Sequence, residues 1–321
     1  MLTVRKAEPA DFERIMAIYG IARDFMKRTG NPNQWRNTHP APELIKEDIE
    51  TGICHVLCGE DAIRGVFALC KGDDPTYAYI EDGKWLNDAH YITIHRIAGD
   101  GTVRGVLEQA AAFAGRFADN IRIDTHRENT VMQGALAKNG FERCGIIYLE
   151  NGEPRVAFQR CSGHTPFREI KTEDDGTVAA LVRSNLEKHG LDIPGTVYFD
   201  PSLDNLSSVY GKPDSRYYVL TGGSGEVVGG IGFAGFKPIK DTAELQKLYL
   251  DESAKGKGLG LKMIYFIEDR MRKAGFKHAY LETHNNLQAA IHIYLESGYK
   301  EIERPKEVVH GTMDRFFFKD L

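Results

Sequence analysis

Two lysines and three glycines fall within six residues, Lys255-Gly256-Lys257-Gly258-Leu259-Gly260, and this is the stretch whose residue types could do chemistry. Glycine lets the main chain come close to an anion, and lysine supplies positive charge beside it. A helix starting here would add unpaired N–H groups and about half a positive charge. The arrangement suits a phosphate or diphosphate. A P-loop requires four residues between its glycines and a closing Lys-Ser/Thr pair, and neither is present. A dinucleotide-binding turn requires G-x-G-x-x-G with an acidic residue about twenty positions later. Here the glycines run G-x-G-x-G, and Glu268 and Asp269 fall inside the helical pattern that follows. Both designs fit badly.

The elements that must hold this turn are legible on either side. Leu245, Leu248, Tyr249 and Leu250 give residues 244–250 the character of a strand. Leu259, Met263, Ile264, Phe266, Ile267 and Met271 form an apolar stripe at helical spacing, and Gly275 stands where a left-handed C-cap is expected. The spacing Lys255-x-x-Gly258-x-Gly260 resembles the pyrophosphate loop (Q/R-x-x-G-x-G/A) of the GNAT superfamily, the acetyl-CoA-dependent N-acetyltransferases. Tyr280-Leu281-Glu282-Thr283 reads as the next strand, and residues 289–299 resemble the family's second helix, which ends A-x-x-x-Y-x-x-x-G-F/Y.

That resemblance implies an α/β (α+β) fold: a mixed, mostly antiparallel sheet flanked by helices. It implies acetyl-CoA as co-substrate and no metal. Its diphosphate would be held by Lys255, Gly256, Lys257, Gly258, Gly260 and Leu261, and its thioester carbonyl polarised by a strand N–H of Leu248 or Leu250. Glu244 takes the slot of the family's general base, acting through water, and Tyr294 the slot of its acid. Glu282 and His284, at a strand end, become expected substrate contacts. Leu287 departs from the pattern, occupying the Asn slot that this chain's own first half fills with Asn129.

The chemistry sets its own demands. An alkylamine with a pKa near 10 is roughly one part in a thousand neutral at pH 7, so a base is useful. A positioned base is worth about 10²–10⁴ in rate. Phenol and thiol pKa values of about 10 and about 8.5 make complete proton transfer from Tyr294 to a thiolate uphill by about 2 kcal/mol. Tyr294 is therefore expected as a hydrogen-bond donor whose proton moves as the C–S bond breaks.

The 321 residues suit about two domains, and the chain repeats itself. Asp124-Thr125-His126 answers Glu282-Thr283-His284 at an offset of 158, Gly140-Phe141 answers Gly298-Tyr299 at the same offset, and Gly105 answers Gly258 at 153. Two tandem GNAT-like domains are expected, residues 1–160 and 165–321, joined through the polar turn at residues 160–166. The first half resembles a GNAT branch carrying Gln34-Trp35, residues 94–98 (I-H-R-I-A), residues 122–133 (R-I-D-T-H-x-x-N-x-x-M-Q) and residues 138–148. Arg104, Gly105 and Asn129 are its expected acetyl-CoA contacts, and Trp35 either lines a pocket or fills a core. Thr93 stands roughly where the second half has Glu244, and Leu136 where it has Tyr294. The first half is thus expected to be degenerate in its catalytic positions, binding acetyl-CoA weakly or catalysing with other residues, with the second half the main active domain. The roles of His310 and Arg315 are open.

A hydrophobic fraction of 42% with 27% charged residues describes a globular chain, and no apolar run approaches a membrane span. A formal charge of −5 argues against binding that rests on nucleic-acid phosphates. Cys54, His55 and Cys58 lack a second ligand pair at zinc spacing, so the five cysteines are expected as buried or partly buried thiols in a reducing, cytoplasmic setting. The expected partner is a small-molecule amine, with a homodimer left open. The alternative reading is a catalytically silent CoA- or acyl-CoA-binding regulatory protein.

Overall fold

The computed structural model describes residues 2–161, 167–306, 308 and 311–321. Most of the expected junction, residues 162–166, and His310 lie outside the described residues. The chain divides into two compact units, Met1–His164 and Thr165–Leu321.

In the first unit the strands are β1 (Thr3–Lys6), β2 (Cys54–Cys58), β3 (Ile63–Lys71), β4 (Tyr91–Gly99), β5 (Asn120–Thr125), β6 (Glu142–Tyr148) and β7 (Pro154–Cys161). Its helices are α1 (Phe12–Arg28), α2 (Pro42–Glu50), α3 (Val106–Ala114) and α4 (Thr130–Lys138). The second unit holds β8 (Phe167–Glu169), β9 (Ser215–Thr221), β10 (Val227–Gly235), β11 (Thr242–Leu250), β12 (His278–Thr283), β13 (Lys300–Ile302) and β14 (Arg315–Asp320). Its helices are α5 (Asp175–Lys188), α6 (Leu206–Val209), α7 (Leu259–Lys273) and α8 (Gln288–Glu296).

Among the described residues the strands form two seven-stranded sheets, β1-β2-β3-β4-β5-β7-β6 and β8-β9-β10-β11-β12-β14-β13. The two orders are the same, so the repeat in the sequence is a repeat of topology. Within each sheet β4–β5 and β11–β12 pair in parallel and the other ladders are antiparallel. A parallel pair needs a long crossover, and α3 and α7 supply it.

The apolar stripe of α7 explains its seat. Met263, Ile264, Ile267 and Met271 are buried against Ile231, Phe233 and Leu245 of the sheet. The helix ends as its sequence demands: Gly275 has φ 92°, and the Phe276 N–H donates to the Met271 carbonyl at 3.1 Å. Cysteine placement departs from expectation at one position. Cys161 is exposed, because it ends β7 where the chain leaves the sheet, whereas Cys54 and Cys144 are buried.

The feature that shapes each site is a bulge in the strand before the crossover. Arg96 and Lys247 both have positive φ, 52° and 51°, and the antiparallel register slips there against β3 and β10. A bulge bends its strand and ends regular pairing. The β4–β5 ladder accordingly stops at Thr93–Arg122 and the β11–β12 ladder at Glu244–Tyr280, although all four strands run on.

A buried tyrosine holds each bulge. Tyr19 of α1 donates to the Arg96 carbonyl at 3.0 Å, and Tyr217 of β9 donates to the Lys247 carbonyl at 3.0 Å. Tyr217 can lie flat because β10 is glycine-rich. A Cβ at Gly230 would stand 2.3 Å from the Tyr217 hydroxyl, and one at Gly232 would stand 2.6 Å from its ring. Gly230→Ala is therefore expected to destabilise the second unit by about 2–3 kcal/mol through overpacking. Both tryptophans, Trp35 and Trp85, lie in the first unit. Circular dichroism should register a lower urea midpoint that tryptophan fluorescence does not share, and an unchanged dichroism midpoint would count against the packing account.

Candidate functional site

In the second unit the glycine–lysine turn lies between the bulged strand and α7, after a three-residue 3-10 turn at Glu252–Ala254. Gly258 is the N-cap of α7 with φ 72°, and Gly256 has φ 74°. Nothing lies within 4 Å of where a Cβ would project at either position, so the turn is an open cradle. Leu259, Gly260 and Leu261 form the first helical turn, whose N–H groups have no acceptor within the helix. A Cβ at Gly260 would meet Ile293 of α8 at 2.9 Å, so this glycine serves helix packing. The lysines are exposed, and Lys255 shares the Glu252 carboxylate with Lys188, at 2.7 and 3.0 Å. The first unit repeats the design: Gly105 caps α3 with φ 84°, next to the exposed Arg104.

Glu244 sits half-buried at the last paired position of β11, where the strands begin to part. Its carboxylate accepts from Gln246 at 2.6 Å, and Gln246 in turn accepts from the Tyr210 hydroxyl at 2.6 Å. Lys247, at the bulge, donates to the same hydroxyl at 3.3 Å. Burial pulls the Lys247 ammonium below its usual range, against the opposing pull of Asp200 and Glu244. Burial also raises the Tyr210 phenol, with Glu244 adding to it, so that group stays protonated as a donor. Sequence reading missed Tyr210, Gln246 and Lys247. Only the two-residue spacing of Glu244 and Gln246 on one face of a strand could have hinted at the network.

Tyr294 approaches from the other face. It is buried in the cluster that includes Leu245, Met263 and Ile264, edge-on to Tyr299 at 6.0 Å and tilted against Phe317 at 6.1 Å. Burial, then the nearby Tyr249 phenol, raises its pKa well above that of a free phenol. Leu248 and Leu250 face the same cluster. Glu282 is half-buried near the end of β12, and His284 follows the strand, its Nδ1 accepting from the Asn286 N–H at 3.1 Å. Burial, followed by the Glu282 and Glu244 charges, raises the Tyr280 phenol, which places these three groups in one neighbourhood. Arg315 clasps β13 to the loop after β12, pairing Glu301 at 2.9 Å and Asn285 at 2.9 Å.

In the first unit a cleft of about 1070 Å³ opens beside the bulge of β4. Trp35 lines it while also packing edge-on against Tyr19 at 5.6 Å, so it is both core and wall. Asn129 is committed within the unit: its carbonyl caps α4 at the Met132 N–H, and its amide donates to Gln34 at 2.9 Å. Leu287, its counterpart, starts α8 with no side-chain cap. Thr93 and Leu136 are fully buried. Among the described residues no cluster of His, Cys, Asp and Glu is arranged to hold a metal, and no helix is long and apolar enough to cross a membrane.

The model of the acetyltransferase (GNAT) family matches residues 185–299. An uncharacterized N-acetyltransferase of Escherichia coli K12, YjgM, is 36% identical over 138 residues, which is 42% of this chain and 82% of that protein. Among solved structures, a GNAT-family acetyltransferase from Streptococcus agalactiae 2603 is 30% identical with a TM-score of 0.47, covering 51% of this chain and 96% of its own. The PaiA N-acetyltransferase of Thermoplasma acidophilum, solved with coenzyme A, is 19% identical with a TM-score of 0.40, covering 50% of this chain and all of its own. With the family model seated over the cradle and its helices, and a relative of this identity spanned over most of its length, the chain belongs to the acetyltransferase (GNAT) family and is an acyltransferase.

Proposed function

We propose that this protein transfers the acetyl group of acetyl-CoA to a primary amine on a small molecule, with residues 165–321 as the main active domain. The observation that carries the reading is the open cradle of Gly256 and Gly258 at the start of α7, one short 3-10 turn after the parted end of β11. Backbone N–H groups from Gly256 to Leu261, with Lys255 and Lys257, would hold the diphosphate. The bound thioester supplies an acetyl group activated for attack.

The chain's own residues supply the rest. Glu244 accepts the proton of the incoming ammonium through water, and Gln246 and Tyr210 fix its carboxylate. Tyr294 holds its proton, because burial keeps the phenol neutral, and donates a hydrogen bond where the thiolate departs. A strand N–H of Leu248 or Leu250, beyond the end of the β12 ladder, polarises the carbonyl in the manner of an oxyanion hole. Glu282 and His284 line the amine side. A thiol-release assay with acetyl-CoA and a panel of primary amines tests the reading. Amine-dependent release is expected. Tight acetyl-CoA binding with no release for any amine would favour the silent regulatory alternative.

A further inference from the structure

The first unit's cleft holds a constellation that the proposed function does not use. His95 lies on β4, two residues beyond Thr93 and on the same face, one pleat step nearer the bulge. Its Nε2 meets the Asp74 carboxylate at 2.8 Å, and its Nδ1 stands 3.7 Å from the Asp124 carboxylate. Asp124 also accepts from the buried Tyr77 hydroxyl at 2.8 Å. Asp74, His95 and Asp124 all line the cleft, as do residues 99–103, which lead to the start of α3.

The two distances differ in meaning. At 2.8 Å the Asp74 carboxylate can accept from Nε2–H, and in the neutral ring held that way Nδ1 is the acceptor. At 3.7 Å Nδ1 and Asp124 are too far apart for a hydrogen bond, yet both are acceptors and both face the cleft. A group bearing two or more N–H donors and a positive charge would satisfy both. Other charges nearby are already matched: Arg96, the next residue, pairs Asp48 through two bonds of 2.9 and 3.0 Å. Cys70 on β3 is held protonated, burial pushing its thiol up to about 11. Asp74 stays ionised, because hydrogen bonds from His95 and Thr76 outweigh its burial and hold it at about 2.

We propose that the first unit is a second amine site, in which Asp124 seats a primary ammonium group and His95 removes its proton. The N–H bond of the ammonium breaks, the proton goes to Nδ1, and the lone pair stays on nitrogen. Asp74 stabilises the resulting imidazolium through Nε2–H. The product is a neutral amine in a cleft that is also lined by residues 99–103, the segment leading to α3. The acidic slot filled by Glu244 in β11 is thus replaced by a histidine one step along β4, with its own carboxylate partner.

The test uses the full chain labelled with ¹⁵N-histidine, with 1,4-diaminobutane and tyramine as probes. The His95 ring signals should move with either amine, in the wild type and in Glu244→Gln alike. Asp124→Asn keeps the Tyr77 hydrogen bond and is expected to weaken amine binding, measured by calorimetry, at least 10-fold. Thiol release from acetyl-CoA that survives in a Glu244→Gln, Tyr294→Phe double variant should vanish when His95→Gln is added. His95 signals that ignore both amines, or residual release indifferent to His95→Gln, overturn the site. If the amines bind at His95 but no thiol is released by any form, the amine site stands and the acetyl-transfer reading of the second unit fails.

Discussion

Glu244→Gln should lower kcat/KM for amine acetylation by about 10²–10⁴ at pH 7 while leaving acetyl-CoA affinity within a few-fold. The amide keeps the shape of the carboxylate and can still accept from Gln246, whose 2.6 Å bond to Glu244 links it to Tyr210. What is lost is the site for the proton. The deficit should therefore shrink as pH rises, because an alkylamine with a pKa near 10 becomes its own free base there. Initial rates from pH 6 to 10 check this. A constant deficit across that range would point to a structural role for the carboxylate, and no deficit would remove Glu244 from the mechanism.

Tyr294→Phe is the second large effect, a fall of about 10² or more in kcat with acetyl-CoA binding little changed. The ring keeps its contacts with Tyr299 and Phe317, so stability should move by less than about 1 kcal/mol. The pH behaviour separates this variant from the first. Burial holds the Tyr294 phenol protonated beyond the range of a free tyrosine, so the wild type keeps its donor up to pH 10. The defect should be flat over the range in which the Glu244→Gln defect closes. Single-turnover thiol release with saturating acetyl-CoA reads the step directly, and an unaltered rate would exclude the hydroxyl.

Much of the fold was legible because local signals agreed. The stripe from Leu259 to Met271 and the stop at Gly275 follow from periodicity and glycine chemistry. The repeated Thr-His pair, Thr125-His126 and Thr283-His284, marked two equivalent strand ends, and Thr93 does occupy the ladder position of Glu244. The bulges were not legible. Positive φ falls on Arg96 and Lys247, whose side chains give no hint of it, and tertiary hydrogen bonds hold them there. Asp74 caps and Tyr77 ends a single three-residue 3-10 turn, Pro75–Tyr77, and Tyr210 follows a segment of short helical turns, so none belongs to a pattern long enough to name a strand or a helix face. Their partners, His95, Asp124 and Gln246, come from other elements, and only the folded sheet brings them together. Lys255 was legible as charge but not as a partner of Glu252.

The tyrosines that pin the two bulges come from non-equivalent places, one from the first helix of its unit and one from an interior strand. The halves of this chain therefore share a blueprint without sharing spare parts. A chimera that moves residues 91–99 into the place of residues 242–250 imports a kink whose anchor stays behind. It also confronts the incoming backbone with a ring that its own neighbours never had to accommodate. Each unit depends on a private fastening, and repair of one by the sequence of the other is closed off.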